Sequence, residues 1–156
     1  MKASRIWIGI GGGLAGGIVF GVMMAMMGML PMIGKMVGHP SAFAGFAVHM
    51  MISAGIGASF AALFGCAIHR VRNGVLIGMS YGGLWWVLGP LTLMPWLMGM
   101  GFGAHLTLAG ARAALPSLPG HLVYGLILGL VYSLLARRLE KVASCERSIP
   151  MRQLQN

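Results

Sequence analysis

The chain has 156 residues, of which 58% are hydrophobic and only 8% are charged, and its net charge is +9. So few charges cannot cover a water-soluble domain of this length, which excludes the ordinary soluble classes. The charged residues also leave long gaps: 6–34, 36–69, 73–111 and 113–136 contain no Asp, Glu, Lys or Arg. A bilayer span needs about 20 predominantly apolar residues, so each gap supplies one helix.

In chain order, the first span is expected over 8–30, with Pro31 ending or kinking it. It exceeds the apolar core of a signal peptide and reads as a true span. A short connection, IGKMVGHPS, leads to a second span over 42–65 and a compact turn, His69-Arg70-Val71-Arg72-Asn73. The third span covers 74–98, and Pro90 and Pro95 should interrupt the hydrogen bonding of its distal half. Residues 99–116 form a long connection, read either as a surface-lying or partly re-entrant helix or as a plain loop. The fourth span begins near Ser117, carries Pro119 in its first turn and ends at Ala136 before Arg137-Arg138. The fold class is therefore an all-α integral membrane protein with four transmembrane helices. Residues 1–139 form one domain and 140–156 a basic tail.

Lys2, Arg5, Arg70, Arg72, Arg137, Arg138, Lys141, Arg147 and Arg152 all fall at one end of such a bundle, and only Lys35 and Arg112 at the other. This is the positive-inside pattern. It predicts cytoplasmic termini and a multi-pass protein of a bacterial inner membrane. The basicity is thus topological and suits contact with lipid. Nucleic acid is excluded as a partner, because no basic patch with interleaved aromatics exists. Cys66 and Cys145 form no CxxC pair and read as ordinary thiols.

Glycines recur every four residues in the first span (Gly9, Gly13, Gly17, Gly21) and again in the third (Gly74, Gly78, Gly82). An offset of 61 pairs Gly13, Gly17 and Gly21 with Gly74, Gly78 and Gly82. An offset of 72 pairs HMMISAGIGASF (49–60) with HLVYGLILGLVY (121–132), matching His49 to His121, Ser53 to Gly125 and Gly57 to Gly129. Together these predict a parallel duplication of a two-helix unit, with repeats at 8–69 and 74–138. Four-residue spacing places Gly13, Gly17, Gly21, Gly57, Gly74, Gly78, Gly82, Gly125 and Gly129 on helix-packing faces.

His49 and His121 each head a small-residue stripe and should point inward. An ionisable side chain at membrane depth needs a partner, water or a ligand. The first reading is interhelical hydrogen bonding; the alternatives are a haem or copper site and a proton or solute path. Met24 and Met27, in the methionine-rich end of the first span, are the thioethers that such a copper site would use, although methionine more often serves as flexible apolar filler. Trp96 fits an interfacial anchor. Trp85 and Trp86 must point apart, and one of them can line an inner cavity. Tyr124, one turn from His121, can share its polar cluster. No acidic residue lies in any span, and paired catalytic carboxylates, a phosphate loop and a nucleophile elbow are all missing. GIGGGLAGG lacks the strand and acidic residue of a dinucleotide site.

The strings GMLPMIGKMVG, HMMIS, YGGLWWVLGPLTLMP and PGHLVYG, with WWVLGP and GHLVYG the most distinctive, resemble short bacterial inner-membrane proteins over 13–136. That resemblance implies no particular activity. The expected role is a non-enzymatic accessory or assembly component without a cofactor, working as a homo-oligomer or within a larger membrane complex. The alternatives are a small-solute or ion permeation unit and a haem- or copper-binding protein.

Overall fold

A computed structural model describes the backbone of 2–153 and the side chains of 3–139 and 141. Four segments are long and apolar enough to cross a membrane: Ala3–Met26, Ala42–Phe64, Val71–Leu97 and Leu108–Leu139. The protein is all-helical, with no strand among the described residues. Large apolar side chains face outward along these segments, Phe43 being 86% exposed and Met26 83%. Such a surface is stable against acyl chains and costly against water.

Helix α1 is Lys2–Met26. Its end precedes the expected one because Gly28, with φ +67°, turns the chain there. A short α2, Leu30–Gly34, then starts with Pro31 in its first turn, where the missing N–H costs nothing. Helix α3, Ala42–Phe64, is capped by Ser41, whose hydroxyl accepts from the Ala44 N–H. Helix α4, Val71–Leu88, runs into a π-helical turn at Gly89–Leu93 and then into α5, Met94–Leu97. Pro90 is the cause: it lacks an N–H, and the ladder resumes with the Met94 N–H donating to Gly89 O, five residues back. Thr92 Oγ1 donates to Val87 O at 2.9 Å, holding the wide turn closed.

The long connection contains glycines at positive φ (Gly99, Gly101, Gly103) and one short helix, α6, Leu108–Ala114, capped by Thr107. A 3₁₀ turn leads into α7, Leu118–Gln153, which stays helical well beyond Ala136, so the 140–156 tail begins as a continuation of the span. Residues 154–156 lie outside the described residues.

Two antiparallel pairs form the bundle, α1 with α3 and α4 with α7, and α1 also packs along α7. Both pairs close through glycine. A Cβ on Gly13 would meet the Ser53 carbonyl oxygen and stand 2.9 Å from Gly57 Cα. One on Gly78 would meet the Gly125 carbonyl oxygen and stand 3.0 Å from Gly129 Cα. The contacts thus match Gly13 to Gly78, and Gly9 (against Gly57) to Gly74 (against Gly129). This register lies four residues from the pairing read from sequence. A second glycine face of α1 meets α7: Gly12 lies against Leu128, Gly16 against Tyr124, and Phe20 against Gly120.

Candidate functional site: a lateral cleft between α3 and α4

The bundle is asymmetric. Helices α1 and α7 pack closely, whereas α3 and α4 barely touch. Toward the chain termini the gap is plugged by an aromatic cluster. Phe60 contacts Phe64, Tyr81 and Tyr132, and Phe60, Leu128 and Tyr132 are fully buried. Toward the opposite end it opens into a cavity of about 720 Å³ lined by α1, α3, the α4–α5 segment and the start of α7. Exposed lining residues, Ile52 and Gly55 on α3 and Leu97 on α5, mark its mouth on the lipid-facing side. Among the described residues no Asp, Glu, Lys or Arg lines it.

His49 and His121 both reach this cavity. Neither bonds the other; instead Phe20 makes a T-shaped contact with each, at ring-centroid distances of 5.3 Å to His49 and 4.7 Å to His121. His49 Nε2 donates across the helix interface to Gly17 O at 3.0 Å. His121 Nδ1 donates to Ser117 O, four residues earlier in the 3₁₀ turn that leads into α7, at 2.9 Å. A carbonyl oxygen only accepts, so the nitrogen facing it carries the proton. In an uncharged ring the remaining nitrogen, Nδ1 of His49 and Nε2 of His121, is an acceptor. Among the described residues that second nitrogen makes no hydrogen bond in either ring. Tyr124 Oη donates to Ser53 O at 2.8 Å and so joins α7 to α3 at the cavity floor.

Met24 is buried and lines the cavity, together with Met29, Met36 and Met94. Met27 lies outside the lining and is 46% exposed. The chain therefore brings three of the four expected metal-site residues to one cavity. Among the described residues no three His, Cys, Asp or Glu side chains group as a metal site. Trp85 lines the cavity, while Trp86 turns away and donates from Nε1 to Ala114 O at 3.0 Å. Trp96 is 53% exposed and packs against Phe102, as an interfacial anchor would. Sequence reasoning missed Met94 and the π turn at Gly89; the only signal was Pro90, which marks a break without giving its shape. It also missed Ser59, whose hydroxyl donates to Ile56 O and bonds Tyr81 Oη at 2.8 Å.

Chemically, the cleft offers apolar contact, thioethers, two imidazole acceptors and no charge. The hydroxyls of Ser59, Ser117 and Tyr124 donate to backbone carbonyls. No protein-family model, curated protein or solved structure matches this chain.

Proposed function

We propose that the chain is a non-enzymatic, multi-pass protein of a bacterial inner membrane, an accessory component that holds an apolar molecule drawn from the bilayer. The observation that carries this reading is the cleft: about 720 Å³, uncharged, and open toward lipid between α3 and α4. Sites for small organic molecules have volumes of roughly 300–1,000 Å³ and predominantly apolar walls. Permeation finds less support, because the aromatic plug of Phe60, Tyr81 and Tyr132 blocks the gap toward the termini. The matching glycine contacts of the two helix pairs support an internal duplication, and the distribution of basic residues supports cytoplasmic termini. An accessory protein of this kind works beside a second copy or a larger membrane complex.

The reading is tested by purifying the chain in mild detergent and identifying retained molecules by mass spectrometry, against Gly55→Phe. A Cβ at Gly55 meets nothing within 4 Å, so the phenylalanine narrows the mouth without disturbing packing. A stoichiometric apolar molecule retained by the native chain and lost from the variant is expected. Equal retention by both proteins, or none by either, overturns the reading.

One observation favours a second reading. His49, His121 and Met24 line one cavity with three further methionines, and thioether with imidazole suits Cu(I). Elemental analysis of protein incubated with Cu(I) and then desalted decides it: stoichiometric copper lost in Met24→Leu supports that reading, and copper no higher than in the variant ends it.

A further inference from the structure

The polar groups of the cleft are unequally satisfied. Tyr124, Ser59 and Ser117 donate to backbone carbonyls, and each histidine spends one N–H in the same way. His121 Nε2 is left as an unused acceptor. It points at the start of the π turn, where a Cβ built on Gly89 would stand 3.9 Å away. One helical turn before Gly89 lies Trp85, whose Nε1–H is buried and makes no hydrogen bond. Trp85 Nε1 is sealed beneath the surface, out of a ligand's reach, whereas His121 lines the cavity, where an imidazole lone pair without a partner is costly.

We propose that the cleft selects an uncharged apolar molecule bearing a hydroxyl head, which donates to His121 Nε2. The inference rests on the cleft being a ligand site. A hydroxyl is a small uncharged head that can donate to that acceptor. A carbonyl or ether can only accept, so it leaves the imidazole unpaired. Carboxylate, phosphate and ammonium heads are rejected because, among the described residues, no charged side chain lines the cavity to offset their desolvation. The four methionines supply an adaptable wall for the apolar body, so selectivity resides in the head. Entry is sideways from the bilayer, past Ile52 and Leu97, which spares the body a passage through water.

The test uses the full chain in lipid nanodiscs doped with one of four probes of equal chain length: hexadecanol, hexadecyl methyl ether, hexadecanoate or hexadecyltrimethylammonium. Native mass spectrometry counts bound probe against its mole fraction in the lipid. The alcohol should reach half-occupancy at a mole fraction about fivefold lower than the ether, the worth of one net hydrogen bond. His121→Phe, which keeps a planar ring, should abolish that preference and leave the ether unchanged, whereas Trp85→Phe should leave the preference in place. Equal binding of alcohol and ether by the native chain overturns hydroxyl recognition while leaving the cleft a ligand site. Tighter binding of either charged probe overturns it also. Binding of none of the four removes the cleft reading itself. Should His121→Phe fail to fold, the alcohol-to-ether ratio in the native chain still decides.

Discussion

Gly13 on α1 and Gly57 on α3 meet backbone to backbone: a Cβ placed on either would stand 2.9 Å from the Cα of the other. Between helices in hydrocarbon there is little hydrophobic drive, so this approach itself supplies the attraction, through dispersion between two close backbones. A methyl group here cannot be accommodated by a side-chain rotation, because its nearest neighbours are the carbonyl oxygens of Ser53 and Gly9. Gly13→Ala and Gly57→Ala should each destabilise the bundle by about 1–3 kcal/mol. Gly78→Ala should do the same in the other pair. Gly11→Ala and Gly55→Ala, where a Cβ meets nothing within 4 Å, should leave stability unchanged. Thermal denaturation in one detergent compares all five, and equal effects across both groups would sink the account.

Tyr124 and Tyr81 both present hydroxyls between helices, but their bonds differ in what they hold. Tyr124 Oη donates at 2.8 Å to Ser53 O, a carbonyl 71 residues away, and the ring is buried. Tyr81 Oη bonds Ser59 Oγ, which is also tied to Ile56 O and so keeps a partner when Tyr81 is changed. Tyr124→Phe should therefore cost about 0.6–1.7 kcal/mol, the range of interhelical bonds in lipid. Tyr81→Phe should cost less. The same unfolding assay checks the order, and the reverse order would contradict the assignment of the two bonds.

The four spans were legible because lipid forbids charge, and the charged residues bracket every segment. The glycine faces were legible as faces but not in register: a string of period four matches itself equally well when slid by four, and only the contacts choose. Gly12 and Gly16 were hidden because they stand one residue before Gly13 and Gly17 and serve a different neighbour, α7. His49 and His121 were readable as inward-facing, since each heads a stripe of small residues. The cleft they reach was not readable, because it arises where α3 and α4 fail to touch, and no local pattern encodes a missing contact. Pro90 announced a break, but the π turn that resolves it depends on Thr92 and Met94 finding partners five residues back.

Cys66 lies just past the end of α3, exposed, with the Arg5 guanidinium donating to its Sγ at 3.4 Å and to Gly65 O at 3.3 Å. This places Cys66 at the end of the bundle where α1 begins, among most of the basic residues. If those residues face the cytoplasm, a membrane-impermeant maleimide should not label Cys66 in intact cells and should label it in inverted vesicles. Cys145→Ser isolates the single thiol. Labelling in intact cells alone would reverse the orientation and with it the side from which the cleft is reached.

His49 and His121 look equivalent when the two helix pairs are aligned, yet their bonds give them different work. His49 is buried at 7% exposure and reaches across to Gly17 O on α1, so its ring joins two helices at the depth where Gly17 would admit no side chain beside Ser53. His121 spends its N–H on Ser117 O, in the turn that leads into its own helix, and holds no second long helix by that bond. Removing the imidazole should therefore separate stability from binding. His49→Phe should lower bundle stability by about 1 kcal/mol, the loss of one interhelical hydrogen bond. His121→Phe keeps a ring against Phe20 and should leave stability nearly unchanged while removing the preference for a hydroxyl over an ether. Thermal denaturation and the nanodisc titration, run on both variants, separate the two roles. Equal destabilisation by the two substitutions would make His121 a structural residue like its counterpart, with the polar character of the cleft a by-product of packing.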